Sequence, residues 1–173
     1  MDAEVFISYA ARDRARVMGI VEKLRKAGVS VWIDQAGIDV SSMWSQEIVS
    51  AIKSCKVMLL AISPQSTGSE NVVKELSLGS ERKKPIIPVH LEPAEIPETM
   101  EYQPAGIQRV EYYDNLEDDA FYATLRALSK RGVQVAEGAF DNEVSSKLEI
   151  SIRQEGNDAE RAQKIRRKNK LVP

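Results

Sequence analysis

Residues 56–62 read Lys-Val-Met-Leu-Leu-Ala-Ile, six apolar side chains in succession behind one lysine. A half-exposed strand alternates apolar and polar residues, because successive side chains point to opposite faces. A strand that never alternates needs cover on both faces, the situation of a parallel sheet between two helical layers. Four further β-rich runs lie at 4–9, 29–34, 86–90 and 107–111, and helical patterns separate most of them. Val17, Ile20, Val21 and Leu24 fall at i, i+3, i+4 and i+7, which predicts a helix over about 13–27. Gly28 follows, where a helix end favours positive φ. Trp44, Ile48 and Ile52 predict a second helix capped by Ser41 or Ser42, and Val72, Val73 and Leu76 a third capped by Ser69. Phe121, Leu125 and Leu128 predict a late helix after the start signal of Asn115 and Asp118. Strands alternating with helices over short connections predict an α/β fold with a parallel sheet and helices on both sides. The segments 63–69 and 91–106 read as loops, the second with one turn of helix.

A chain of 173 residues fits one domain with room for a short appendage. The boundary is expected after 133, because 134–158 are polar and aperiodic and 159–170 are basic and helix-prone. This extension reads as a solvated helix or a linker towards a sensor domain or partner. Its basic stretch 159–170 lacks the aromatic residues that stack on bases, and the formal charge of the whole chain is only −2, so nucleic acid is not an expected partner. No stretch reaches the ~18 apolar residues of a membrane span, and Asp2 and Glu4 stand where a signal peptide would be basic. The single cysteine, Cys55, fits a reducing compartment. The reading is a soluble cytoplasmic protein.

Several doubly wound families are excluded on chemistry. No G-x-G-x-x-G or Walker loop follows the first strand, so no such backbone cradle for phosphates is present. Where a phosphate-accepting aspartate would end the third strand, the chain has Ile62-Ser63-Pro64. One histidine, His90, and one cysteine offer no metal-ligand spacing. What remains is three groups at strand ends and helix starts: Ser8, Tyr9, Arg12 and Asp13; Asp34 to Asp39 running on to Trp44; and 63–69 with the helix carrying Glu75. Ligands bind α/β sheets at the carboxyl ends of strands, so the three groups are expected along one edge. Each has a plain alternative. Asp13 and Asp34 suit turn bracing, Trp44 suits a core stripe, and Glu75 between Lys74 and Leu76 suits a solvated surface.

Ordered boxes then add a resemblance. Phe6-Ile7-Ser8-Tyr9, Val31-Trp32-Ile33-Asp34, Trp44-Ser45-Gln46-Glu47-Ile48, Ile62-Ser63-Pro64, Val73-Lys74-Glu75-Leu76 and Pro85-Ile86-Ile87-Pro88-Val89 together resemble a TIR (Toll/interleukin-1 receptor) domain over about residues 3–131. The resemblance, closest to the bacterial NAD-cleaving type, implies a flavodoxin-like three-layer sandwich with a five-stranded parallel sheet. Enzymatic members cleave the nicotinamide–ribose bond of NAD⁺ with a glutamate on the helix after the third strand, and Glu75 matches that position.

One carboxylate suits that task. The leaving nicotinamide is already cationic, so no acid is needed to protonate it, and the carboxylate stabilises an oxocarbenium-like ribose or attacks it. Water would give ADP-ribose, and the adenine a cyclic product. By the same resemblance Ser8, Tyr9, Arg12, Asp34, Ile38, Asp39, Trp44 and Asn71 would bind NAD⁺, a substrate rather than a cofactor. Loop 35–43 would pack on a neighbouring copy, so activity would depend on self-assembly in bacterial immune signalling. One departure is Asn71, which stands where many NAD-cleaving members carry a tryptophan four residues before the glutamate. Ala10 and Ala11 also replace basic residues found near the phosphates in some members. The alternative function is a non-catalytic adaptor that works through TIR–TIR contacts.

Overall fold

The computed structural model describes residues 3–33, 42–101, 110–113 and 117–141, with the side chains of 42–45, 99 and 101 excepted. The chain divides into two compact units, Met1–Glu137 and Gly138–Pro173. The second is described only at 138–141, a turn closed by Asp141 N donating to Gly138 O at 3.0 Å.

In the first unit the strands are β1 (Val5–Ser8), β2 (Val31–Ile33), β3 (Val57–Ile62), β4 (Ile86–His90) and β5 (Val110–Glu111). All pair in parallel, in the order β2-β1-β3-β4-β5, which is the flavodoxin-like arrangement. Helices α1 (Arg14–Lys26), α2 (Ser42–Ser54), α3 (Pro64–Thr67), α4 (Glu70–Glu81) and α5 (Glu98–Glu101) occupy the connections, and α6 (Glu117–Ser129) follows β5. A 3-10 turn at Ala11–Asp13 leads into α1.

The pleat sorts the core into two layers. Phe6, Met58, Leu60 and Ile62 share one face and pack with Ile48 and Ile52 of α2 and Val72 and Leu76 of α4. Ile7, Leu59, Ile87 and Val89 point to the other face, where α1 packs on α6. Every residue of β3 is buried, as its unbroken apolar run requires. Phe6 stacks on Trp32 across β1 and β2, with ring centroids 4.9 Å apart.

Two expected boundaries move for local reasons. β2 begins at Val31 because Val29 N still donates to Leu24 O, closing the end of α1 around Gly28 at φ +81°. Of the predicted loop 63–69, residues 64–67 form α3. Ser63 and Ser66 cap that helix reciprocally, and Pro64 starts it with the φ a helix needs. Past 133 the first unit is still held by hydrogen bonds, from Gln134 N to the Glu4 carboxylate at 2.7 Å and from Ala136 N to Ala27 O at 2.8 Å. None of the described helices is long and apolar enough to cross a membrane.

Candidate functional site

The order β2-β1-β3 reverses direction at β1, and such a switch point opens a crevice at the carboxyl ends of the strands. Ser8 is the last residue of β1. Its register partner is Leu60, so it shares the face that α4 covers. On α4, Val72, Leu76 and Gly79 are buried, and Glu75 stands three residues after the first and four before the last. That spacing puts Glu75 on the flank of the buried stripe, half-buried rather than out in solvent. The two positions meet: Ser8 Oγ donates to Glu75 Oε2 at 2.6 Å, across 67 residues of sequence. Ser8 itself has no exposed surface.

A second buried contact lies on the same connections. Ser63, directly after β3, donates its hydroxyl proton to Asp13 Oδ2 at 2.5 Å. Asp13 is 5% exposed and Ser63 fully buried. The same hydroxyl oxygen accepts from Gln65 N at 3.2 Å and Ser66 N at 3.1 Å. The first and third sequence groups are therefore tied together twice, through Ser8–Glu75 and through Asp13–Ser63.

The other expected residues are placed less centrally. Tyr9 is half-buried, and its hydroxyl accepts from Arg14 Nη1 at 2.9 Å. Arg12 is exposed on the 3-10 turn, and Asn71 is exposed on α4 one turn before Glu75. Asp34, Ile38, Asp39 and most of loop 35–43 lie outside the described residues, as does the side chain of Trp44. Ser63 was expected within the third group but not as a site residue, and Arg14 was not expected at all. Ser63 carried a signal in Ser63-Pro64-Gln65-Ser66, a helix-capping pattern, but nothing local pointed to Asp13 as its partner.

His90 and Cys55 are buried at 2% and 1% exposure. Burial pushes the Cys55 thiol up from its ordinary value, with the Lys84 ammonium opposing in part. Among the described residues no cluster of His, Cys, Asp or Glu could hold a metal ion. A cavity of about 200 Å³ lies elsewhere, lined by Ala15, Arg16, Gly19, Ile20, Lys23, Leu91, Tyr112 and Glu117. None of its walls is an expected site residue.

Comparison with known proteins places this geometry in a family. A protein of Brachypodium distachyon named as a probable 2′ cyclic ADP-D-ribose synthase is 26% identical over 119 residues, 63% of this chain and 53% of that protein. The chain thus spans about half the length of the curated relative it matches. Among solved structures, the TIR domain of the Toll-related receptor TRR-2 of Hydra magnipapillata superposes with a TM-score of 0.60 at 24% identity, covering 72% of this chain and 96% of that one. The RPS4–RRS1 TIR-domain heterodimer is similar at a TM-score of 0.51 and 16% identity, covering 73% and 96%. At these identities the solved structures establish the fold. The family model for the TIR domain matches residues 5–129, from the first residue of β1 to the last of α6, and the chain belongs to the TIR-domain family.

Proposed function

We propose that this chain cleaves the nicotinamide–ribose bond of NAD⁺, with Glu75 as the reacting carboxylate. The observation that carries the reading is the bond from Ser8 to Glu75. It holds a carboxylate in a fixed orientation at the carboxyl edge of the sheet, beside the switch point. The synthase-named relative from Brachypodium supports a nucleotide substrate of this kind.

The chemistry asks little else of the protein. The bond between ribose C1′ and the pyridinium nitrogen breaks with its electron pair moving to nitrogen, and neutral nicotinamide leaves. Positive charge then develops on the ribose, and a carboxylate fixed next to it lowers the barrier because it needs no reorganisation. Attack at C1′ by water, with loss of one proton, gives ADP-ribose. Attack by a nucleophile within the ADP-ribosyl group, again with loss of one proton, gives a cyclic isomer. In this reading Tyr9, Arg12, Asp34, Ile38, Asp39, Trp44 and Asn71 line the nucleotide cleft. Ser8, with no exposed surface, acts on the substrate through Glu75. Self-association through loop 35–43 completes the cleft, and the role is in immune signalling.

The test is NAD⁺ consumption by the full chain at high protein concentration, beside Glu75→Gln, with light scattering to report assembly. Nicotinamide release by the wild type alone establishes the activity, and chromatography of the second product separates hydrolysis from cyclisation. An assembled wild type that leaves NAD⁺ intact refutes the proposal and favours the adaptor role.

A further inference from the structure

A buried carboxylate is costly unless it is hydrogen-bonded, so its partners show what it is there for. Asp13 stands at the N-cap of α1, where an aspartate ordinarily accepts a backbone N–H of its own helix. Here it makes no such bond. Its carboxylate reaches instead to the hydroxyl of Ser63, 50 residues away, at 2.5 Å. Both side chains are buried.

What Ser63 does with that bond connects it to the candidate site. Its hydroxyl is the N-cap of α3, and Ser66 closes the cap by accepting from Ser63 N at 2.9 Å. Ser69 N then donates to Ser66 O at 3.1 Å, and Ser69 is in turn the N-cap of α4. Six residues after Ser69, on α4, comes Glu75, bonded back to Ser8 on β1. Ser8 and Asp13 flank one short connection, the end of β1 and the 3-10 turn. The contacts form a ring: Asp13, Ser63, Ser66, Ser69, Glu75 and Ser8. The β1–α1 connection grips α4 at two points, at Glu75 and through the turn that launches the helix. The far end of α4 is seated closely as well, since a Cβ on Gly79 would stand 2.9 Å from Met58 Cε.

We propose that Asp13 is a positioning residue: through Ser63 it sets where α4 starts, and so where the Glu75 carboxylate stands beside Ser8. The catalytic half of this statement rests on the reading of Glu75 given above, whereas the ring itself is structural. A brace that acted only on overall stability would loosen the domain evenly. A positioning brace loosens α3 and the first turns of α4 selectively, and it reduces turnover more than substrate affinity.

The experiment uses the full chain as wild type, Asp13→Ala, Asp13→Asn, Ser63→Ala and the double variant Asp13→Ala with Ser63→Ala, read by native-state hydrogen exchange and by NAD⁺ turnover. In Asp13→Ala, amides of 64–76 are expected to exchange about tenfold faster or more, with those of β3 and β4 unchanged. The value of kcat is expected to fall about ten- to a hundredfold with KM nearly constant, the range for a reacting group slightly misplaced. Asparagine keeps an oxygen to accept the Ser63 proton and is expected to restore most of both. The double variant is expected to be no worse than Ser63→Ala alone, because that substitution already removes the Asp13 bond together with the α3 cap on Gln65 N and Ser66 N. Exchange in 64–76 that matches wild type, or that rises uniformly with the rest of the sheet, overturns the proposal. So does an asparagine variant no better than alanine. A wild type without turnover refutes the enzymatic reading alone, and the exchange pattern then decides on the brace by itself.

Discussion

Ser8→Ala removes one oxygen from a position with no exposed surface and takes away the donor that holds Glu75 Oε2 at 2.6 Å. A hydrogen bond to a charged group contributes about 1.5–3 kcal/mol. At about 1.36 kcal/mol per decade, full loss of that orientation in the transition state lowers the rate about 10- to 150-fold. The replacement is smaller by a single atom and adds no new polar group, so the fold is expected to survive with a loss of no more than about 1.5–3 kcal/mol. The assay is the initial rate of nicotinamide release across a range of NAD⁺ concentrations. Ser8 acts through the carboxylate, so kcat falls while KM stays within about threefold of wild type. A variant with raised KM and unchanged kcat would make Ser8 a substrate contact. A variant indistinguishable from wild type, beside an inactive Glu75→Gln, refutes the reasoning outright.

Three further outcomes follow from the packing and the charges. The Lys56 ammonium bonded to Glu4 holds that carboxyl below its ordinary 4.5, against an upward push from burial and with further help from Gln134 N. A carboxyl lowered on folding contributes stability that is fully present above its ordinary value of 4.5 and is lost as pH falls through the lowered one. The thermal midpoint of wild type should therefore drop more steeply than that of Glu4→Gln below about pH 4.5, and parallel curves would refute the pairing. Cys55, buried with a raised thiol and donating to Ile52 O at 3.3 Å, should resist a disulfide-exchange reagent at about pH 8 until denaturant is added. Rapid labelling of the native protein would contradict its packing. Leu76→Ala removes a side chain that is 1% exposed between α4 and the sheet, and should cost about 2–5 kcal/mol in urea unfolding. A cost under about 1 kcal/mol would mean that α4 is seated by something other than its apolar stripe.

The layered sheet was legible because its signals are local. The unbroken run of β3 demands cover on both faces, and the stripe Val17, Ile20, Val21 and Leu24 demands a helix. Ser69 marks the start of α4 by accepting from Val72 N, as a cap residue should. The strand order is a different matter, since pairing between β1 and β3 joins segments about 50 residues apart and leaves no trace in either one. It came with the family resemblance. The short α3 escaped because four residues carry no periodicity, and only its two serines and Pro64 announce it.

At the site, residue type and strand position were legible, and partnership was not. Ser8, Asp13 and Glu75 were singled out for lying at strand ends and helix starts. Ser8 was expected among the NAD⁺-binding residues, and nothing in its strand announced that its hydroxyl donates to Glu75. Glu75 read as a solvated acid by its neighbours Lys74 and Leu76, and the flank of a buried stripe is a subtler address than a turn or a cap. Both bonds that join the groups span 50 residues or more. Such contacts are what a fold adds to a sequence. The pleat of β1 decides that Ser8 faces α4, the turn of α4 decides that Glu75 faces β1, and only the sheet order decides that the two meet. A TIR domain could keep every apolar position of this core and still lose that meeting by one changed polar residue. Cleavage of NAD⁺ is therefore expected to be far more sensitive to Ser8, Asp13 and Ser63 than the stability of the fold is.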